Sequence, residues 1–537
     1  MKSDFRAALS RWTEVLGPQG VESTPSGSKR YSRTTLPYGN VPLGVLYPGT
    51  TAQVQTVVRI AQETGIALYP ISRGKNWGYG DACPVKENQF LVDLSRMDRI
   101  LEVSPDLGYA VIQPGVTQKQ LVEHLERNHP DLMLDCTGSG PEASIVGNTL
   151  ERGFGHTPYG DHFLYSCGME VVLGDGRILN TGFGHYNNAR ASHVFKWGIG
   201  PYLDGLFTQS NLGIVTKMGI WLMPRPECVK MFFLSVPDEE KLPAITDALR
   251  PLRLQGILKN IVHIGNDLRV ISSFQRYPWD RTGGQTPLPA ELRRELRKEA
   301  KIGAWNISGA IYGTPGQVRI YQGIIKKRLR RLGRVRFAGK NTVAMAGWMG
   351  NLIDRLGLGK DLLVKIRSLE KVYGLLNGRP TEAFMYGTLW RIPADQKTTS
   401  LDPLDNKAGL IWISPILPST GEAARELMNI VNPVFHKYSF DPLVTISLIT
   451  ERAMVSVMSI CYDKHSPSES QKALDCYAEL FDSLLSAGFV PYRSSTHSMH
   501  KLAQSSETFW DVSSQIKQVL DPDGIIAPGR YQPQEHL

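Results

Sequence analysis

The chain has no run of 18 or more apolar residues, so no membrane-spanning helix is expected. Its first residues, MKSDFRAALSRW, lack the apolar core of a signal peptide, and a cytoplasmic protein is expected. Six cysteines (Cys83, Cys136, Cys167, Cys228, Cys461, Cys476) are scattered without C-x-x-C spacing and read as free thiols. The 12 histidines show no metal spacing: His156 and His162 lie in a Gly/Pro loop, too far apart for one helical turn, and read as structural. Zinc-finger, homeodomain and RNA-binding signatures are missing, so nucleic acid is not an expected partner. Walker A and G-x-G-x-x-G loops are missing too, which excludes the usual nucleotide cradles.

What is present suits a globular chain. Of 537 residues 42% are apolar and 21% charged, a balance that buries a sizeable core. At about 150 residues per domain, the length suggests roughly three folding units or two large ones. The 51 Gly and 34 Pro carry no collagen-like period and punctuate turns. The net charge of +9 gathers in two stretches, 293–301 and 326–336, where Leu and Val recur at intervals that suit amphipathic helices. Solvated helix faces are the expectation, with an anionic membrane surface or an acidic partner as alternatives.

Thr51 opens a helical pattern with Val54, Val57, Val58 and Ala61 on one face, Thr50 or Thr51 as N-cap and Gly65 as stop. Strands are expected at 67–72, 90–95 and 108–115, and a helix from Thr117 to Asn128. Residues 168–181 read as a hairpin turning at Asp175-Gly176, and 213–224 as an apolar strand. The region 226–470 mixes strands and helices and reads as a second domain. A helix is expected from Ala473 to Leu485, and a short apolar strand within the terminal DPDGIIAPGRYQP.

The loop Ser72 to Gly80 (SRGKNWGYG) follows a strand directly, and three glycines in seven positions let backbone N–H groups approach an anion such as a pyrophosphate. It does not stand alone. In chain order, PGTTAQVQTVVRIAQETGIALYPISRGKNWGYG, LVDLSRM, VIQPGVT, GNTLERGFGHTPYGDH, GMEVVLGDGRI and GLFTQSNLGIVTKMGIWLMP resemble the FAD-binding domain of the vanillyl-alcohol oxidase and para-cresol methylhydroxylase flavoproteins, and PYRSS and DPDGIIAPGR resemble that family's C-terminal return. The resemblance implies an α+β, two-domain FAD-binding fold of the para-cresol methylhydroxylase type. Residues 1–225 with 471–537 would bind FAD, and 226–470 would form a cap over the flavin ring.

By the same resemblance Arg73, Gly74, Lys75, Asn76, Trp77 and Gly78 would hold the pyrophosphate. Pro114, Gly115 and Val116, then Gly147 and Asn148, then Gly213, Ile214 and Val215 would line the rest of the cofactor. Gly147, Gly153 and Gly155 would let backbone press against a flat ring. Arg530 falls where a cation would sit against the flavin's pyrimidine edge and raise its reduction potential.

Tyr79, Tyr492, Arg493 and Glu151 resemble the family's substrate apparatus. Two phenol hydroxyls and a guanidinium can hold a phenolate oxygen, and the fixed charge lowers the phenol pKa. The implied reaction oxidises a para-substituted phenol at its benzylic carbon, with hydride passing to flavin N5 and a quinone methide forming. Glu151 stands where the family's oxidases usually place Asp, and the same acid–base role is expected of it; the alternative is a carboxylate that pairs with Arg152 or Arg493 and orients the site.

The family's covalent flavin link has no counterpart. Leu410 or Gly409 stands where the oxidases carry histidine, Asn76 where other relatives attach a loop histidine, and TGSGPEASIVGN offers no Cys. FAD is expected to be non-covalent, with Tyr386 the candidate if it is not. The paired cap histidines are also absent, Val455 and Ser456 holding that register. The expected partners are a small aromatic substrate, dioxygen or a cytochrome-type electron acceptor, and a second copy of the chain in a homodimer. The competing reading is a flavin scaffold that acts on, or only binds, a larger natural product.

Overall fold

A computed structural model describes residues 2–356, 359–398, 400–503 and 507–533. Helix Thr51–Thr64 begins at Thr50, whose side chain accepts from Gln53 N–H, and ends at Gly65 in the left-handed conformation (φ 63°). Its apolar stripe, Val54 to Ala61, is buried against strand-forming Phe90, Leu91 and Val92. The four-stranded sheet so covered runs Val21–Glu22, Gly44–Leu46, Gln89–Asp93, Ala67–Ile71, its last three strands parallel. Beside it an antiparallel five-stranded sheet is ordered Ile100–Ser104, Tyr109–Ile112, Ile214–Trp221, Ser166–Val172, Ile178–Asn180. Its Ser166–Asn180 arm is the expected hairpin, with Gly176 at φ 77° in the turn.

Residues 228–463 build one antiparallel sheet. Its order is Arg336–Gly339, Cys228–Val236, Trp305–Gly313, Val262–Asn266, Leu443–Leu448, Ala453–Asp463, Ala408–Ile413, with Ile416–Pro418 adding to Ala453–Asp463. Side chains alternate across it as a strand's period of two requires. Val262, Ile264, Val444, Ile446 and Leu448 enter the largest hydrophobic core, under helices Leu242–Leu254, Gly421–Lys437 and Pro467–Ser486. His263, Gly265, Thr445 and Ser447, one residue out of step, face a cavity. Fully buried Phe232, Phe435 and Phe481 each contribute about 1.5–3 kcal/mol to that core.

The terminal strand is reduced to one parallel bridge, Leu68 to Ile526, in which Leu68 N–H donates to Ile525 O and Ala527 N–H to Leu68 O. The bridge returns Arg530 to the strand that feeds the glycine-rich loop. The helix expected from Ala473 starts earlier, at Pro467, because Ser466 caps it and Pro467 supplies a preset φ.

The two basic stretches differ. On helix Ala290–Ala300, Leu292 and Leu296 are buried, and Arg293 and Arg297 turn inward to the buried carboxylate of Asp267, at 2.7 Å each. On helix Pro315–Leu329, Ile325 and Leu329 are buried while Lys326, Lys327 and Arg328 are exposed. All six cysteines are unpaired, five of them buried. Among the described residues no helix is long and apolar enough to cross a membrane.

Candidate active site

The loop 72–80 leaves strand Ala67–Ile71 and is pinned from below. Buried Asp81 accepts from Thr35 N–H at 2.7 Å and from the hydroxyls of Thr34 and Thr35 at 2.7 and 2.9 Å. Burial, partly offset by those donors, pushes its carboxyl up to about 6. Gly78 donates to Thr35 Oγ1 at 2.7 Å, has φ 72°, and leaves the space of a Cβ to Trp412, 2.1 Å away. Only glycine fits there. At the outer end, Lys75 pairs with Asp402 at 2.5 Å and Arg73 with Glu142 at 3.3 Å.

This loop is one wall of a cavity of about 750 Å³, within the range of cofactor and ligand sites. Arg73 to Trp77, Gly147, Asn148, Gly153 and Gly213 to Val215 line it, with Tyr79, Glu151, Tyr492, Arg493 and Arg530. The large sheet closes it from above. Gly78, Pro114, Gly115 and Val116 do not line it. Gly78 is covered by Trp412, and Gly115 is pressed on the carbonyls of Leu94, Ser95 and Met97, any of which a Cβ would meet within 2.8 Å. Pro114 and Val116 lie behind the wall: Pro114 O accepts from Ser144 Oγ, and Val116 O from Ile145 N–H. Gly153 and Gly155 have local reasons for their lack of a side chain, since Asn148 and the Asp135 carboxylate fill the respective Cβ positions.

Ser144 caps the short helix Ile145–Leu150, accepting from Gly147 N–H at 2.9 Å, and the helix delivers Glu151 at its end. Glu151 Oε1 pairs with Arg530 Nη2, and Oε2 lies 3.5 Å from Arg493 Nη2. Burial alone would raise its carboxyl; Arg530, then Arg493, hold it below the ordinary range. Arg530 Nη1 also donates to Tyr69 OH at 3.1 Å and Nε to Ser210 O at 3.2 Å. Arg493 lies 4.0 Å over the Tyr79 ring and donates from Nη2 to Asn76 Oδ1, while its buried Nε has no partner. Tyr79 OH is 2.8 Å from Ser414 Oγ. Burial first, then the neighbouring Tyr492, push its phenol well above the usual value, so it stays protonated. Tyr492 is fixed by its backbone: N–H to Ser414 O at 3.1 Å, and O accepting from Gln209 Nε2 at 2.7 Å.

Two further features of this cavity have no motif. The first is a hydrogen-bonded chain in which His156 Nδ1 lies 2.9 Å from His263 Nε2, and His263 Nδ1 lies 2.8 Å from Ser447 Oγ. Beside it, His162 bridges Asn148 Oδ1 at 2.6 Å and Asp135 Oδ2 at 2.7 Å. Burial lowers His156 to about 4 and His263 well below its ordinary value. The loop position of His156 and His162 gave no hint of His263, which arrives on strand Val262–Asn266 from more than 100 residues away. The second is Arg269, whose buried Nη1 has no hydrogen-bond partner. Leu410 lines the cavity, whereas Tyr386 does not, although its neighbours Met385 and Gly387 do. Among the described residues no group of three or more His, Cys, Asp or Glu side chains is arranged to hold a metal ion.

A glycine-rich loop, a strand start and a basic C-terminal return around one cavity of about 750 Å³ suit a flavoprotein oxidoreductase. Residues 42–182 match the FAD binding domain family. The chain is 38% identical over 528 residues to 1'-carboxy-chondrochloren decarboxylase of Chondromyces crocatus, covering 98% of this chain and 96% of that protein. It is 33% identical over 537 residues, with the same coverage, to the 4-cresol dehydrogenase [hydroxylating] flavoprotein subunit of Pseudomonas putida. The crystal structure of p-cresol methylhydroxylase with substrate bound superposes with a TM-score of 0.89 at 31% identity, over 100% of this chain and 98% of that one. The chain therefore belongs to the vanillyl-alcohol oxidase and para-cresol methylhydroxylase family of FAD-dependent oxidoreductases. Its cofactor is FAD, and the residues present fit it: the cavity has the volume of a ligand site, about 750 Å³, and the buried, unpartnered Nε1 of Trp77 on the glycine-rich loop is a free donor there.

Proposed function

We propose that the enzyme oxidises a para-substituted phenol at its benzylic carbon. The observation that supports this most directly is the convergence of Tyr79, Tyr492 and Arg493 on one cavity wall, with Arg493 stacked on Tyr79 and one of its buried N–H groups unpartnered. Bound FAD would supply the two-electron acceptance that such an oxidation needs. In this reading Arg73 to Trp77, Gly147, Asn148, Gly153, Gly213 to Val215 and Arg530 hold the cofactor, while Gly78 and Pro114 to Val116 shape the wall from behind. Residues 1–225 and 471–537 form its domain and 226–470 the cap. Tyr79, kept protonated, donates to the phenolate oxygen, and Arg493 lowers the phenol's pKa by its fixed charge. Glu151, held ionised by two arginines, is in the form that accepts a proton. The electron acceptor is dioxygen or a cytochrome-type carrier, and the working form a homodimer. The test is stopped-flow reduction with a 4-alkylphenol and its methyl ether: the ether cannot ionise and should leave the flavin oxidised, and equal rates would remove the phenolate mechanism.

A second reading, an oxidative decarboxylation, is favoured by the 38% identity to the Chondromyces decarboxylase over nearly the whole chain. The two share a first stage. Loss of hydride from the benzylic carbon of a phenolate leaves a quinone methide, which is an electron sink. A carboxylate on the adjacent carbon can then leave as CO₂, its C–C bonding pair forming the alkene and restoring the aromatic phenolate. Atoms and charge balance with no further reductant. Release of CO₂ in proportion to flavin reduced would distinguish this outcome from addition of water.

A further inference from the structure

Arg269 stands on the short helix Asp267–Ser272, which follows the cap strand Val262–Asn266, and it lines the cavity. Its backbone is satisfied, since N–H donates to Asn266 Oδ1 at 2.9 Å and O accepts from Ser272 Oγ at 2.9 Å. Its guanidinium is not: among the described residues it makes no ion pair and no side-chain hydrogen bond, and its Nη1 is buried. Asp267, two positions away, is already engaged by Arg293 and Arg297. The Cys461 thiol that interacts with Arg269 is pushed up to about 11 by burial and is uncharged near neutrality. A guanidinium cannot relieve this by losing its proton, and an unpaired buried cation is costly. The charge is kept for something that arrives.

The neighbours say where that something lies. The guanidinium carbon is 5.6 Å from the Trp412 ring centroid, and the same ring abuts Gly78, next to the phenol-binding Tyr79. Nη1 also sits 3.0 Å from where a Cβ on Gly387 would be, so the missing side chain at 387 is what lets the guanidinium take this position. One aromatic side chain thus links the proposed phenol end of the cavity to an uncompensated cation.

Resting on the phenol reading above, we propose that Arg269 binds a carboxylate carried on the para substituent of the substrate, so that the enzyme prefers 4-hydroxyphenyl acids to neutral 4-alkylphenols. A planar guanidinium holds a carboxylate through two parallel hydrogen bonds, and here it would do so without competing protein acids. Such an anchor fixes the side chain and selects for it. The FAD phosphates are the other anion near this cavity, and the experiment separates them from the substrate.

The holoenzyme is titrated calorimetrically under anaerobic conditions with 4-hydroxyphenyl acids of increasing side-chain length and with their primary amides. The wild type is expected to bind the best acid roughly 10-fold to 100-fold tighter than its amide, the range of one charge-assisted contact. Arg269→Gln should bring that ratio close to one, and Arg269→Lys should keep part of it. Equal affinity of acid and amide for the wild type overturns the proposal while leaving the phenol reading intact, and needs no variant to fold. An unchanged ratio in Arg269→Gln, or loss of FAD from that variant with the ratio preserved, overturns it too. If neither acid nor amide binds to FAD-loaded enzyme, the phenol reading falls and takes this proposal with it.

Discussion

The carboxylate of Glu151 is paired with the guanidinium of Arg530, joining the end of a six-residue helix in the first third of the chain to the turn of the C-terminal return. The pair is half-buried, and the second oxygen of Glu151 leans toward Arg493 at 3.5 Å. Removing the negative charge leaves two cations facing each other. Glu151→Gln is expected to lower the melting temperature and to slow flavin reduction by a phenol about 100-fold or more, the lower bound for loss of a positioned acid–base group. FAD should remain bound. Absorbance at the flavin maximum during rapid mixing and a thermal melt read the two effects separately. A lowered melting point with an unchanged reduction rate would assign Glu151 to orientation alone.

Arg493 acts through its shape as much as its charge. It covers the face of Tyr79 at 4.0 Å while reaching Asn76 from one nitrogen and leaving another free. Lysine keeps the charge but neither the stacking plane nor the fork. Arg493→Lys should cost about 1–3 kcal/mol in transition-state binding, read as kcat/KM. A melting temperature reduced with kcat/KM intact would make Arg493 a packing residue.

The fold was legible where its signals are local. Thr50, Val54, Val57 and Gly65 carry a cap, a stripe and a stop within 16 positions, and the helix forms where they say. The large sheet was not, because strand Cys228–Val236 pairs with Trp305–Gly313 across some 70 residues, and no short window encodes that partner. The site divides likewise. Tyr79, Tyr492 and Arg493 sit in motifs, so they could be named in advance, and the cavity brings them together. Arg269 is one of 60 basic residues, and its distinction is the lack of a partner, which only packing reveals. Glycines 78, 153 and 155 were conspicuous in sequence, yet their Cβ positions are occupied by Trp412, Asn148 and Asp135, so side-chain packing accounts for them.

The cofactor link can be tested directly. Leu410, fully buried on the cavity wall, has no nucleophilic atom, and Tyr386 lies off the lining. Denaturation is expected to release intact FAD, leaving no fluorescence on the protein band after electrophoresis. A fluorescent band that vanishes in Tyr386→Phe would instead locate a tyrosyl bond.

Acid should loosen the cavity before it unfolds the rest. His156 and His263 are held uncharged by burial, His156 at about 4, with nearby Asp135 opposing that shift and His162 adding to it. A depressed folded-state pKa means that the unfolded chain takes up the proton more readily. The stabilisation from these two groups is therefore complete above about 6.5 and is lost as pH falls toward 4. Asp81 runs the other way: raised to about 6, it contributes fully below its ordinary value near 3.8 and loses that contribution as pH rises through 6. Asp204 and Asp441 are raised by burial like Asp81, and His124, His497 and His500 are lowered like the cavity pair, so five histidines stand against three carboxyls and a net loss on acidification is expected. Urea midpoints should fall from pH 6.5 to pH 5, and fall less steeply in His156→Asn, which keeps a polar partner for His263 without a group that titrates there. An equal slope in that variant would place the acid sensitivity of this window in other groups; Glu151 and Asp135 do not supply it, because their lowered values put their own losses below about pH 4.5.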